Sequence, residues 1–166
     1  MAELLEVNHL SVTFRAPQGS VEAVRDVSFS LHPGEVLAIV GESGCGKSAL
    51  CKAIMRLLPE TAEVRGEILV HGTDITPYRE RELRNLRGRV FSMVFQDPMT
   101  ALNPSMTIGS QIAEAVCAHD RRLPREAVRA RVEELMELVG IARAAERMRA
   151  YPHQFSGGMR PRAVRA

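Results

Sequence analysis

Residues 36–48 read VLAIVGESGCGKS: an apolar run, a glycine-rich loop and the start of a helix, with no spacer between them. This order constrains the fold more than any other stretch. Consecutive apolar residues without alternation suit a strand buried on both faces, as in a parallel sheet. The loop over residues 41–48 matches G-x-x-x-x-G-K-[ST] in full. Its glycines let successive backbone N–H groups turn toward one anion, and the helix that follows adds the positive end of its dipole. Lys47 is placed to reach β- and γ-phosphates, and the Ser48 hydroxyl to ligate Mg2+. The candidate nucleotide-binding residues are therefore Gly41, Glu42, Ser43, Gly44, Cys45, Gly46, Lys47, Ser48 and Ala49. The loop does not distinguish ATPases from GTPases or small-molecule kinases. Cys45 has two readings: a small loop side chain with no redox role, or a thiol activated beside a helix N-terminus and shielded by bound nucleotide.

The flanking segments frame this loop. LLEVNHLSVTF and VEAVRDVSFSL read as two strands joined by the turn APQGS, and the second is closed by HPGE. The loop helix is expected from Lys47 to about Leu58, with Leu50, Ile54 and Leu57 on one face. Another β element is expected over residues 66–71, with a turn at His71-Gly72. A helix is expected to open at Thr76, with Pro77 at its first position. RVFSMVF, residues 89–95, reads as a second buried apolar strand. Thr107 can cap a helix carrying Ile108, Ile112 and Val116, and Val128, Val132, Leu135 and Val139 mark the next one, with Gly140 as its stop. The boundaries expected are a β-rich nucleotide-binding part over 1–97, a helical subdomain over 98–155 and the start of a last helix over 156–166.

Two further motifs carry chemistry. The strand ending in QDP either presents Asp97 as a metal-orienting acid or places Gln96 at the metal and the attacking water. PHQFSGGMR, further on, can form a second anion site: Ser156 as a helix cap, with Gly157 and Gly158 leaving the first N–H groups open. A lone S-G-G is weak, but its place after a phosphate loop, a strand-Gln and a helical segment favours the anion site and the Gln96 reading. Pro161 conflicts with a helix capped by Ser156. It would be the fifth helical residue, where proline costs about 3 kcal/mol.

Together GESGCGKS, Gln96 and FSGGMR resemble the Walker A loop, Q-loop glutamine and signature motif of ABC transporter ATP-binding subunits. VFQDPMTALNPSMTIGSQIAE is similar, more narrowly, to the importer subfamily for dipeptides, oligopeptides and nickel. The resemblance implies an α/β P-loop NTPase (ABC ATPase) core with an N-terminal antiparallel β part and a helical subdomain. It implies ATP and Mg2+ as cofactors, Lys47 and Gln96 as catalytic residues, and Ser48 and Gln96 at the metal. Phe14 would stack on adenine, with Phe29 as the alternative. Ser156, Gly157 and Gly158 would contact nucleotide bound to a second ATP-binding subunit, identical or different. The remaining implied partners are membrane permease subunits and, indirectly, an external solute-binding protein. The family also carries an apolar strand ending in Asp-Glu, and a switch histidine, after the signature. These 166 residues show neither, so a truncated, non-hydrolysing nucleotide-binding fragment without transport activity is the alternative expectation. An unrelated P-loop kinase or GTPase would leave SGGMR unexplained.

Composition narrows the rest. A net charge of +2, from 22 basic and 20 acidic residues, gives no reason to expect nucleic acid as a partner. The basic stretch RERELRNLRGR, residues 79–89, reads as a solvated helix face. The start MAELLEVNHL lacks the basic region of a secretion signal, and no apolar run is long enough to span a bilayer. The expected location is cytoplasmic, peripheral on the inner face of the cell membrane. Three cysteines without ligand spacing point to neither a metal site nor a disulfide framework.

Overall fold

The computed structural model describes residues 3–17, 19–95, 101–120 and 122–166. The chain divides into two compact units, Met1–Phe91 and Ser92–Ala166.

The first unit is built on a four-stranded antiparallel sheet in the order β2-β1-β3-β4, from β1 (Leu5–Ala16), β2 (Gly19–Leu31), β3 (Ala62–Val70) and β4 (Thr73–Asp74). β1 does not alternate cleanly, and the reason is a bulge. Val7 faces the core, then the buried set resumes at Leu10 and Val12, because the register shifts between Val7 and Leu10 and His9 takes a positive φ of 51°. An extra residue at this point moves the following side chains to the other face. Gly66 on β3 makes room for the bulge: a Cβ there would lie 2.5 Å from the His9 carbonyl oxygen. Hydroxyls satisfy the displaced amides. The His9 N–H donates to Ser28 Oγ at 2.8 Å, and the Asp26 N–H to Ser11 Oγ at 2.9 Å.

The helix α1 (Lys47–Ile54) packs Leu50 and Ala53 into a core shared with Val7, Leu10, Val12, Val24, Ile68 and Ile75. It is shorter than the sequence predicts, and Leu57 lies beyond its end, 39% exposed. The turn expected at His71-Gly72 is present, with φ of 49° and 72°, the two left-handed residues that a tight hairpin between β3 and β4 requires.

The helix expected at Thr76 begins later, as α2 (Glu80–Leu86). Thr76 is already engaged by the sheet. Its Oγ1 accepts the Ile68 N–H at 3.1 Å, and its own N–H donates to Asp74 Oδ1 at 2.8 Å. Hydrogen bonding from Thr76 holds the Asp74 carboxyl below its usual range. The cap falls instead at Arg79, whose N–H donates to Glu82 Oε2 at 2.8 Å.

Neither apolar run joins the sheet. Residues 36–40 have no strand partner among the described residues, and Val36 and Val40 are 93% and 87% exposed. Within residues 89–95, Phe91 alone forms a bridge among the described residues, an isolated one to Arg87, while Val94 and Phe95 are exposed. An apolar run specifies burial but not a neighbour, and a strand forms only where another backbone supplies hydrogen bonds.

The second unit is helical: α3 (Ile108–His119), α4 (Arg125–Leu138), the short α5 (Ala144–Arg147), a 3-10 turn (Pro152–Gln154) and α6 (Met159–Arg165). Thr107 caps α3 as predicted, its Oγ1 accepting the Ser110 N–H at 3.3 Å. Gly140, with φ of 76°, follows α4. The core gathers Ile108 and Ile112 from α3, Val132 and Met136 from α4, and Ile141, Phe155 and Ala163.

Pro161 is the third residue of α6 (Met159–Arg165), although the Arg160 N–H already bonds the Ser156 carbonyl four residues back. The acceptor that its missing N–H would have met, the Gly157 carbonyl, belongs to an exposed residue where water can bond it. Replacing Pro161 with glutamine is therefore expected to change stability by less than about 1 kcal/mol in urea unfolding. A gain near the ~3 kcal/mol typical of an interior proline would show that the ring strains the helix after all.

Candidate functional site

The phosphate loop, residues 41–46, joins the exposed run 36–40 to α1. Gly44 and Gly46 hold φ of 82° and 94°, the left-handed conformations that aim successive amides at one point. Gly46 also sits hard against β2, where a Cβ would fall 2.1 Å from the Ala23 carbonyl oxygen. The helix starts at once, with the Leu50 N–H donating to the Gly46 carbonyl at 2.9 Å.

The Lys47 side chain folds back over this loop. Its Nζ donates to the carbonyls of Gly41 at 2.8 Å and Glu42 at 2.6 Å, and lies 3.4 Å from Cys45 Sγ. The ammonium thus stands over the loop backbone, next to the amides of the cradle. Ser48, in the first turn of α1, is exposed, and its hydroxyl has no hydrogen-bond partner among the described residues. A hydroxyl left open at that point suits a Mg2+ ligand. No cluster of three or more His, Cys, Asp or Glu side chains able to hold a metal occurs among the described residues.

Two cavities meet the loop. A small one, about 260 Å³, is lined by Ala23 and residues 44–49. A larger one, about 700 Å³, runs along β2, with Val24, Val27 and Phe29 on one side and Leu37, Ile39, Cys45 and Lys47 on the other. Phe29 lines the larger cavity. Phe14 does not: it is half-buried and packs against the sheet core. Gln96, like Asp97, lies outside the described residues.

Ser156, Gly157 and Gly158 are exposed at the head of α6. The Ser156 side chain makes no capping bond. Its carbonyl takes the place of a cap, accepting the N–H groups of Met159 at 3.0 Å and Arg160 at 3.2 Å. Arg160 ties the loop from below, its Nε donating to the carbonyls of Pro152 at 3.0 Å and Phe155 at 3.1 Å. Phe155 is buried, so the conformation of the exposed Ser-Gly-Gly is anchored on both sides.

Sequence reasoning passed over Arg87. The stretch 79–89 reads as a solvated face, yet the Arg87 side chain is only 21% exposed. Its guanidinium reaches back to α1, donating to the carbonyls of Met55 at 3.1 Å and Arg56 at 2.7 Å. The signal available in the sequence was an arginine followed by Gly88 just past an amphipathic helix, where the chain must turn.

Among the described residues no helix is long and apolar enough to cross a membrane. A family profile described as "ABC transporter" matches residues 24–165. The chain is 49% identical to the oligopeptide transport ATP-binding protein OppD of Bacillus subtilis, over 99% of this chain and 46% of that protein. It is equally 49% identical to the dipeptide transport ATP-binding protein DppD of the same organism, over 99% of this chain and 49% of that protein. The chain thus spans about half the length of the curated relatives it matches. In fold it is similar to a dimeric ATP-binding cassette bound to ADP and Pi, with a TM-score of 0.79, 23% identity, and coverage of 96% of this chain and 66% of that one. The motifs, the folded phosphate loop and the profile match agree, and the chain belongs to the ABC transporter family.

Proposed function

We propose that this chain is the ATP-binding part of an importer for peptides or related solutes. The observation that carries the reading is the phosphate loop, folded with left-handed Gly44 and Gly46 directly ahead of α1, in a chain 49% identical to peptide-transport ATP-binding proteins.

On this reading the loop amides and the α1 dipole hold the phosphates, and Lys47 leaves the carbonyls of Gly41 and Glu42 to pair with the β- and γ-phosphates. Ser48 and Gln96 would hold Mg2+, which would supply neutralisation of phosphate charge. Gln96 orients the attacking water. Ser156, Gly157 and Gly158 present a hydroxyl and open amides to nucleotide held by a second ATP-binding subunit. Membrane permease subunits at the inner face of the cell membrane receive the motion, and an external solute-binding protein delivers the solute.

Gly157 gives a clean test, because a Cβ built there meets nothing within 4 Å. Gly157→Asp is expected to leave folding intact and to place a negative charge against the partner's nucleotide. In cells whose own gene carries this change, uptake of a labelled oligopeptide is expected to fall about 100-fold or more. Unchanged uptake alongside a normal protein level would refute peptide import through this site.

A further inference from the structure

We infer that Arg87 is a positioning residue of the phosphate loop: its guanidinium closes the far end of the helix whose near end faces the nucleotide. The inference rests on the nucleotide-binding reading of residues 41–48 and adds a residue outside that motif.

The helix α1 has only eight residues. A helix this short does not hold its shape in water alone, so its ends and its buried face decide where its N-terminus points. The buried face is small, Leu50 and Ala53. The C-terminal end closes in a two-bond turn: the Arg56 N–H donates to the Ala53 carbonyl at 2.9 Å, and the Leu57 N–H to the Lys52 carbonyl at 2.8 Å. That pattern ends the helix on a left-handed residue and usually recruits glycine. Here the left-handed residue is Arg56, with φ of 54°.

The turn leaves the carbonyls of Met55 and Arg56 pointing out of the helix. Arg87 takes both, through Nε at 3.1 Å and Nη2 at 2.7 Å, while Nη1 donates to Glu80 Oε1 at 2.8 Å. A rigid fork is needed to meet two carbonyls and a carboxylate together, and a positive charge at a helix C-terminus complements its dipole. Arg87 is itself fixed. Its N–H donates to the Leu83 carbonyl at 2.9 Å, and Gly88 and Phe91 close the following turn at 2.8 Å. The α2 segment therefore clamps α1 from behind. Removing the fork frees the end of α1 to tilt, and the amides at the other end lose their common aim.

The test is MgATP affinity, measured by titration calorimetry on the whole chain, with thermal unfolding followed on the same samples. Arg87→Met keeps the aliphatic stem and removes the fork; it is expected to weaken binding about ten-fold under conditions where the protein remains folded. Arg87→Lys keeps the charge without the fork and is expected to lie between. Arg56→Gly, combined with Arg87→Met, relieves the left-handed arginine; it is expected to recover melting temperature without recovering affinity. Undiminished affinity in folded Arg87→Met overturns the inference, as does full recovery of affinity by Arg56→Gly. Should Arg87→Met fail to fold, Arg87→Lys decides: wild-type affinity overturns the inference and reduced affinity supports it. Absence of MgATP binding by the unaltered chain would instead refute the reading of the loop itself.

Discussion

Lys47→Ala is expected to weaken MgATP binding by about 100-fold or more while leaving the unfolding transition nearly unchanged. The two halves of this expectation come from different parts of the geometry. Toward a nucleotide, the ammonium offers charge-assisted hydrogen bonds to phosphate oxygens, each worth about 1.5–3 kcal/mol, and every ~1.4 kcal/mol is a factor of ten in affinity. Toward the protein, it donates to the carbonyls of the exposed residues Gly41 and Glu42 and, at 3.4 Å, to the exposed Cys45 Sγ, all of which water can satisfy once the side chain is gone. Titration calorimetry and urea unfolding on the same preparation separate the two. A variant that binds MgATP as well as the wild type would remove Lys47 from the phosphate site. A variant that unfolds would assign it a structural role instead.

Gly46→Ala is expected to be the most damaging single methyl in the first unit. The added carbon would lie 2.1 Å from the Ala23 carbonyl oxygen and 3.2 Å from its carbon. Both are backbone atoms of β2, so no rotamer change relieves the contact. The left-handed φ of 94° adds strain of its own. A loss of about 3 kcal/mol or more is expected in equilibrium unfolding, enough to leave little folded protein in a domain of ordinary stability. Gly44→Ala is the matched control: its φ is similar, 82°, but nothing lies within 4 Å of its Cβ. It is expected to cost only about 1 kcal/mol. Equal losses at the two positions would mean that backbone conformation, not the contact with Ala23, makes Gly46 necessary.

Much of this was legible in the residues because it is local. The hairpin of β1 and β2, the His71-Gly72 turn, the Thr107 cap and the start of α1 all follow from signals within a few positions. What was not legible depends on partners distant in the chain. Residues 36–40 and 89–95 look like strands because they are apolar, but their backbones find no ladder among the described residues. The delayed start of α2 depends on Ile68 reaching Thr76, and the bulge at His9 on the missing side chain of Gly66. Pro161 looks like a fault in a helix capped by Ser156, but the Gly157 carbonyl that it leaves without a donor belongs to an exposed residue. At the site, the loop motif marked Lys47 and Ser48 at once. Arg87 was hidden because a basic run resembles a solvated surface, and only the fold shows one of its members turned inward.

The exposed run 36–40 has a consequence for the life of the chain in a cell. Val36, Leu37, Ile39 and Val40 stand 93%, 44%, 38% and 87% exposed, on a backbone without ladder bonds among the described residues. Chaperones and quality-control proteases bind extended apolar segments of this kind, and the fate of the chain depends on how long such a segment stays uncovered. Covering of residues 36–40, by further polypeptide or by a partner, would then set how many copies of the chain survive, before any nucleotide is bound.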